Sequence, residues 1–230
     1  MPNITVIIPA LNEAESIAPL LRSMPWHLIK ECIVVDNGST DATAATAQQA
    51  GARVVHEPRR GYGQACMTGA ASIHPDTDII VFMDGDGSDV PAELPNLINP
   101  ILAGQYDFVI GSRIRGHREQ GSMNSSQIFA SRLFGLLLRP LYRIRYTDMG
   151  PYRAITPAAL QRLHMTERTY GWNLEMQMRA AQEKLRILEI PTTCRRRTAG
   201  TSKVSGNLTA SLKAATRILA VLLRVALTRH

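Results

Sequence analysis

Aromatic residues make up only 5% of this 230-residue chain. Single-stranded nucleic acids are held on stacked aromatic platforms, and the basic half of the chain shows no such pattern. A nucleic-acid partner is therefore not expected. Cysteine is equally scarce: Cys32, Cys66 and Cys194 are odd in number and widely spaced. That argues against a disulfide framework and a zinc site, and points to core thiols in a reducing cytoplasm. No apolar run reaches the ~18 residues of a membrane span. The amino terminus lacks the basic start of a signal peptide, and Ile4–Pro9 is too short to be its apolar segment. Internal repeats and low-complexity tracts are missing as well.

Acidic residues are scarce in one half only. Residues 1–109 hold 5 Lys and Arg against 13 Asp and Glu, a net −8. Residues 110–230 hold 21 against 6, a net +15. The basic half suits anionic partners such as phosphates or lipid head groups, or is simply a solvated basic surface.

The hydrophobic fraction of 45% supports a sizeable core. Apolar runs predict strands over Ile4–Ile8, Cys32–Val35, Arg53–His56, Asp78–Met83 and Asp107–Ile110. Between them, helices are expected over Glu13–Arg22, Thr40–Ala50, Gly63–Ile73 and Pro91–Ala103, with Ser39 or Thr40 capping the second. Such alternation implies an α/β domain with a parallel, doubly wound sheet. The second half reads as a polar loop over Arg115–Gln127 and a helix over Ile128–Tyr146 that Pro140 ends or kinks. A helix opening at Thr156-Pro157, a helix over Trp172–Lys184 and a strand over Leu185–Thr193 follow. A basic loop over Arg195–Gly206 then leads to a basic amphipathic helix over Asn207–Arg229.

Asp84-Gly85-Asp86 follows the apolar run Ile79–Met83. Two carboxylates at a strand tip repel unless a cation neutralises them, and hard oxygen ligands suit Mg²⁺ or Mn²⁺. Ligands of open α/β sheets gather at the carboxyl ends of the strands. Alone, an Asp-x-Asp pair reads equally as a turn. Asp36, after the second strand, suits a nucleobase or ribose, or an Asx-turn. Gly61-Tyr62-Gly63 lacks the third glycine of a dinucleotide fingerprint, which argues against a nicotinamide cofactor.

Five further segments stand in a fixed order: Pro9–Glu13, Val35–Asp41, Gly61–Ala65, Asp84–Asp86 and Gly111–Arg113. Together they resemble family 2 glycosyltransferases. Asp148–Arg153 and Arg197–Lys203 are similar to the dolichyl-phosphate mannose and glucose synthase branch. The resemblance covers about residues 3–205. It implies a GT-A fold: a Rossmann-like, mostly parallel sheet with flanking helices in residues 1–206. The nucleotide half is about 1–112 and the acceptor half about 113–206, with a C-terminal amphipathic helix over 207–230. Residue by residue, it implies that Pro9, Ala10 and Glu13 border the base and ribose, that Asp36 reads the base, and that Gly61 and Gly63 form a glycine-rich wall. Asp84, with Gly85, and Asp86 hold the nucleotide and the metal. Arg113, Arg153, Arg197, Ser202 and Lys203 meet phosphate or acceptor. The chain departs from the branch at Ser88, where Gln is usual, and at Gly150-Pro151-Tyr152, before Arg153.

The reaction so implied is inverting transfer of a hexose from a UDP-glucose or GDP-mannose type donor. The acceptor would be a polyprenyl phosphate or another amphiphile. A phosphate acceptor needs no strong base; a hydroxyl acceptor needs a carboxylate, for which Asp148 and Glu175 are the candidates. The alternatives are a soluble hydroxyl acceptor, or a non-catalytic nucleotide- or nucleic-acid-binding protein. A sugar-nucleotide pyrophosphorylase lacks its Gly-rich, Lys-bearing loop after the first strand. Leu208, Leu212, Ala215, Leu219 and Leu222 recur at helical spacing among basic residues. With residues 128–146 this helix offers a surface for an anionic, cytoplasmic membrane face; packing on the core or across a homodimer is the other reading.

Overall fold

The computed structural model describes residues 2–198 and 208–228. Seven strands form one sheet in the order β3-β2-β1-β4-β6-β5-β7. They are β1 (Ile4–Ala10), β2 (Glu31–Asp36), β3 (Arg53–His56), β4 (Ile79–Phe82), β5 (Phe108–Ser112), β6 (Arg153–Ile155) and β7 (Ile187–Pro191). All neighbouring pairs are parallel except those of β6, which runs antiparallel to β4 and β5. The expected sheet is thus mostly parallel, with one inserted reversed strand. β6 is short because Pro151 and Pro157 bracket it.

Helices α1 (Ala14–Arg22), α2 (Thr43–Gln49) and α4 (Leu94–Leu102) cover one face of the sheet. The other face carries α3 (Tyr62–Ala71), α5 (Ser125–Tyr142), α6 (Pro157–Arg162), α7 (Trp172–Gln182) and α8 (Leu208–Leu227). Strand alternation feeds both layers: in β1, Val6 and Ile8 join the first core while Ile7 joins the second. Fully burying each such side chain contributes about 1.5–3 kcal/mol.

Three details differ from the sequence-based expectation. α5 starts at Ser125, because Asn124 and Gln127 form a reciprocal capping box. It ends just after Pro140, where Arg143 takes the left-handed conformation. Neither Ser39 nor Thr40 caps α2; Ser39 Oγ and the Thr40 N–H bond Asn12 instead.

α8 lies against α7 through Val221, Leu222 and Val225. Two of its arginines turn inward. Arg217 reaches the wholly buried Glu167 at 3.1 Å, and Arg224 reaches Glu167 at 3.1 Å and Glu175 at 3.4 Å. Among the described residues, no helix is long and apolar enough to cross a membrane.

Candidate active site at the strand tips

The carboxyl ends of β1, β2 and β4 lie side by side, with Ala10 in register with Asp36. The loops that follow are laced together. Asn12 accepts from the Thr40 N–H at 2.8 Å, and the Glu13 N–H donates to Thr43 Oγ1 at 2.8 Å. Asp36 is buried; one of its oxygens accepts from the Ser39 N–H and the other lies 3.3 Å from His56 Nδ1. The turn reading of Asp36 is therefore realised at the tip of its strand.

The acidic turn leaves β4 at Phe82. Gly87 turns it at φ +77°, and a Cβ there would strike the Thr198 hydroxyl. The Ser88 N–H donates to Asp86 Oδ1 at 2.9 Å, and the Asp84 N–H donates to Asp89 Oδ2 at 3.2 Å. Asp89 is a third carboxylate here, buried like Asp86, while Asp84 is half-buried. Burial, with Asp86 as the nearest like charge, pushes Asp84 up to about 7. The same causes, with Asp84 as the leading like charge, raise Asp89 well above its ordinary value.

A basic strap crosses the turn. The Arg195 N–H donates to the Ser88 carbonyl at 2.8 Å and the Thr198 N–H to the Asp86 carbonyl at 3.0 Å. Arg197 sets its guanidinium 2.7 Å from Asp86 and 3.9 Å from Glu13. Glu13 is tied in turn to Ser16, whose hydroxyl also donates to the Gly85 carbonyl at 2.9 Å. Glu13, Gly85, Asp86 and Arg197 so form one connected group. Ser202 and Lys203 lie outside the described residues.

Arg113 follows β5. Its Nε donates to Asp148 Oδ2 at 2.7 Å and its Nη2 to Asp148 Oδ1 at 2.9 Å, a bidentate pair. Asp148 also accepts from Ser131. Burial alone would raise Asp148, but Arg113 holds it below the usual carboxylate range. Arg113 lies close enough to Asp84 and Asp89 to favour their charged forms.

Four expected site residues are placed elsewhere. Glu175 is wholly buried, and Thr166, Glu167 N–H, Arg179 and Arg224 occupy its oxygens, so it organises the core and has no open face for a general base. Arg153 is also wholly buried, donates to the Gly150 and Asn173 carbonyls and stacks over Phe108. Burial pushes its guanidinium down to about 10. It braces the sheet and offers no surface to a phosphate. Gly61 and Gly63 press on the backbone of Glu167 and Arg168, which a Cβ would strike, so their small size serves internal packing.

Two residues were not expected. Asp89 stands three positions after Asp86, outside the Asp-x-Asp pattern that singles out Asp84 and Asp86. Tyr62 lies between the two glycines; its hydroxyl is buried beside Asp84, and burial, then the Asp84 charge, push it well above the ordinary phenol range.

Comparison with known proteins identifies the family. The family model for Glycosyl transferase family 2 matches residues 5–164. An uncharacterised glycosyltransferase of Mycobacterium tuberculosis is 36% identical over 212 residues, covering 91% of this chain and 93% of that protein. An undecaprenyl-phosphate mannosyltransferase of Micrococcus luteus is 31% identical over 218 residues, covering 89% and 88%. Among solved structures, glucosyl-3-phosphoglycerate synthase from Mycobacterium tuberculosis, in complex with Mn²⁺, UDP-glucose and phosphoglyceric acid, superposes with a TM-score of 0.78. Its identity is 26%, with 98% of this chain and 80% of that chain covered. The chain belongs to glycosyl transferase family 2.

Proposed function

We propose that this family 2 glycosyltransferase moves a hexose, with inversion, from a nucleotide diphosphate sugar to a phosphate-bearing amphiphile of the polyprenyl-phosphate type. The observation that carries the reading is Arg197 spanning Asp86 and Glu13 at the strand tips, where acid and base meet. Both named relatives with a stated substrate point the same way. One is called an undecaprenyl-phosphate mannosyltransferase, and the other is complexed with a nucleotide sugar and a phosphorylated acid.

Asp84 and Asp86 fit a divalent cation such as Mg²⁺ or Mn²⁺: their oxygens are hard donors, and burial with the Asp86 charge makes Asp84 costly to ionise. Among the described residues no three His, Cys, Asp or Glu side chains converge on a metal, so the remaining positions suit water and diphosphate oxygens. When bound, the metal would neutralise charge on the diphosphate as the sugar C1–O bond breaks. Asp36 and Glu13 border the nucleoside. Arg197 and Arg113 add positive charge where the diphosphate and acceptor meet. Asp148 is committed to Arg113 and Glu175 is sealed in the core, which favours an acceptor that is already an anion. A phosphate oxygen attacking C1 from the face opposite the leaving diphosphate needs no protein base.

Thermal-shift screening of UDP- and GDP-sugars with and without Mn²⁺ tests the donor side, since ligand binding to the native state raises the melting temperature. Transfer from the best donor to polyprenyl phosphate tests the acceptor. A raised melting temperature and a lipid-linked sugar are expected; no shift with any sugar nucleotide overturns the reading.

A further inference from the structure

We propose that the outward face of α5, with the groove at its carboxyl end, docks the protein onto an anionic lipid bilayer. α5 buries Ser131, Phe134 and Leu138 against the protein. That leaves a second apolar face. Phe129 and Leu136 are 67% and 65% exposed, and Leu133, Leu137 and Leu141 extend the same arc at helical spacing. Arg132 and Arg139 stand seven residues apart, which sets them along one edge of that arc, and Arg143 follows at the helix end. A surface groove of about 660 Å³ opens at the end of the helix, lined by Leu136, Leu137 and Pro140 together with Arg139, Arg143 and Arg145.

A helix with an apolar face edged by arginines lies in the plane of a membrane interface, its cations at head-group level. The charge pattern selects a bilayer over a second copy of the chain. Residues 120–147 contain four arginines and no Asp or Glu. None of these arginines has an acidic partner among the described residues. Two copies meeting face to face would press like charges together, whereas anionic head groups complement them. α8 exposes Leu219, Leu223 and Leu227, but Arg217 and Arg224 are engaged with Glu167. α5 is therefore the segment proposed to face the membrane. The groove end of this surface, at Arg139, lies about 12 Å along the helix from Ser131, the residue that touches Asp148. Its occupation needs neither donor nor acceptor.

Sedimentation of the full chain with phosphatidylcholine vesicles, with and without phosphatidylglycerol, at low and high salt, tests the proposal. No sugar nucleotide or polyprenyl phosphate is present, so the outcome is independent of the transfer reaction. Wild type should sediment with the anionic vesicles alone, and less so at high salt. R132Q/R139Q/R143Q should bind about a hundredfold more weakly, at about fivefold per arginine. F129S/L136S should keep only binding that high salt abolishes. Circular dichroism and melting temperature establish that both variants are folded. Wild type staying in the supernatant with anionic vesicles overturns the proposal, as does a folded arginine variant that sediments like wild type. A wild-type dimer that F129S/L136S converts to monomer, without vesicle binding, assigns the face to a second copy and also overturns it.

Discussion

Arg197 holds a guanidinium nitrogen 2.7 Å from Asp86 Oδ2, the oxygen of the acidic turn closest to it. A cation of the protein's own so stands beside the carboxylate proposed to meet a metal. Arg197 is partly exposed, so its attraction to Asp86 is screened, and it must yield that oxygen when a divalent ion arrives. R197Q should therefore bind Mn²⁺ roughly fivefold tighter in the absence of donor, the equivalent of about 1 kcal/mol. The same variant should lose about tenfold in turnover, because the charge that meets the diphosphate is gone. Electron paramagnetic resonance titration of free Mn²⁺ measures the first effect and steady-state kinetics the second. Unchanged or weaker Mn²⁺ binding removes Arg197 from competition with the metal.

Much of this arrangement is legible from residue order. The apolar run ending at Met83 announces a strand tip, and Asp84 and Asp86 are the first polar side chains beyond it. The strap is not legible, because Asp86 and Arg197 are joined only by the fold. Arg113 and Asp148 pair through the same long-range closure. β6 escapes a pattern reading for another reason: three residues with a buried arginine at their start show no alternation. Arg153 reads as a phosphate ligand through the resemblance of its segment, and only its carbonyl partners reveal a bracing role. Glu175 sits in the first turn of α7, where acids are common, and its partners Thr166, Glu167 and Arg224 come from outside that helix.

Glu57 gives a pH-dependent prediction. It is buried between β3 and α3, and its oxygens accept from Arg59, Thr68 and Gln64. The hydrogen bond from Arg59, then that from Thr68, holds its carboxyl far below the ordinary range. A carboxylate depressed in the folded state contributes stability that is complete above its unfolded value of about 4.3 and is lost as the pH falls below it. Wild type should therefore melt higher than E57Q at pH 7, and the gap should narrow steadily below about pH 4. Melting curves of both proteins across that range test this. A gap that is constant with pH would mean that Glu57 acts by shape alone.

The inward arginines of α8 make the last prediction. Glu167 and Glu175 are wholly buried, and the Glu167 N–H donates to Glu175 at 2.6 Å, so two negative side chains share one interior site. Arg179 serves Glu175 from within α7, while Glu167 depends on Arg217 and Arg224, with Thr169 as a further donor. Removing the charges that offset a buried carboxylate typically costs 3–5 kcal/mol. Both α8 arginines are 40% or more exposed, so solvent already carries part of that role. R217A/R224A should accordingly lose about 2 kcal/mol in urea unfolding, at an unchanged slope. Adding E167Q should recover part of the loss, because a neutral amide needs no counter-charge, although it still asks for hydrogen bonds. In wild type, by contrast, E167Q alone should destabilise by leaving the two arginines facing no carboxylate at that position. A double-variant loss below about 0.5 kcal/mol would show that Val221, Leu222 and Val225 hold α8 without the ion pairs.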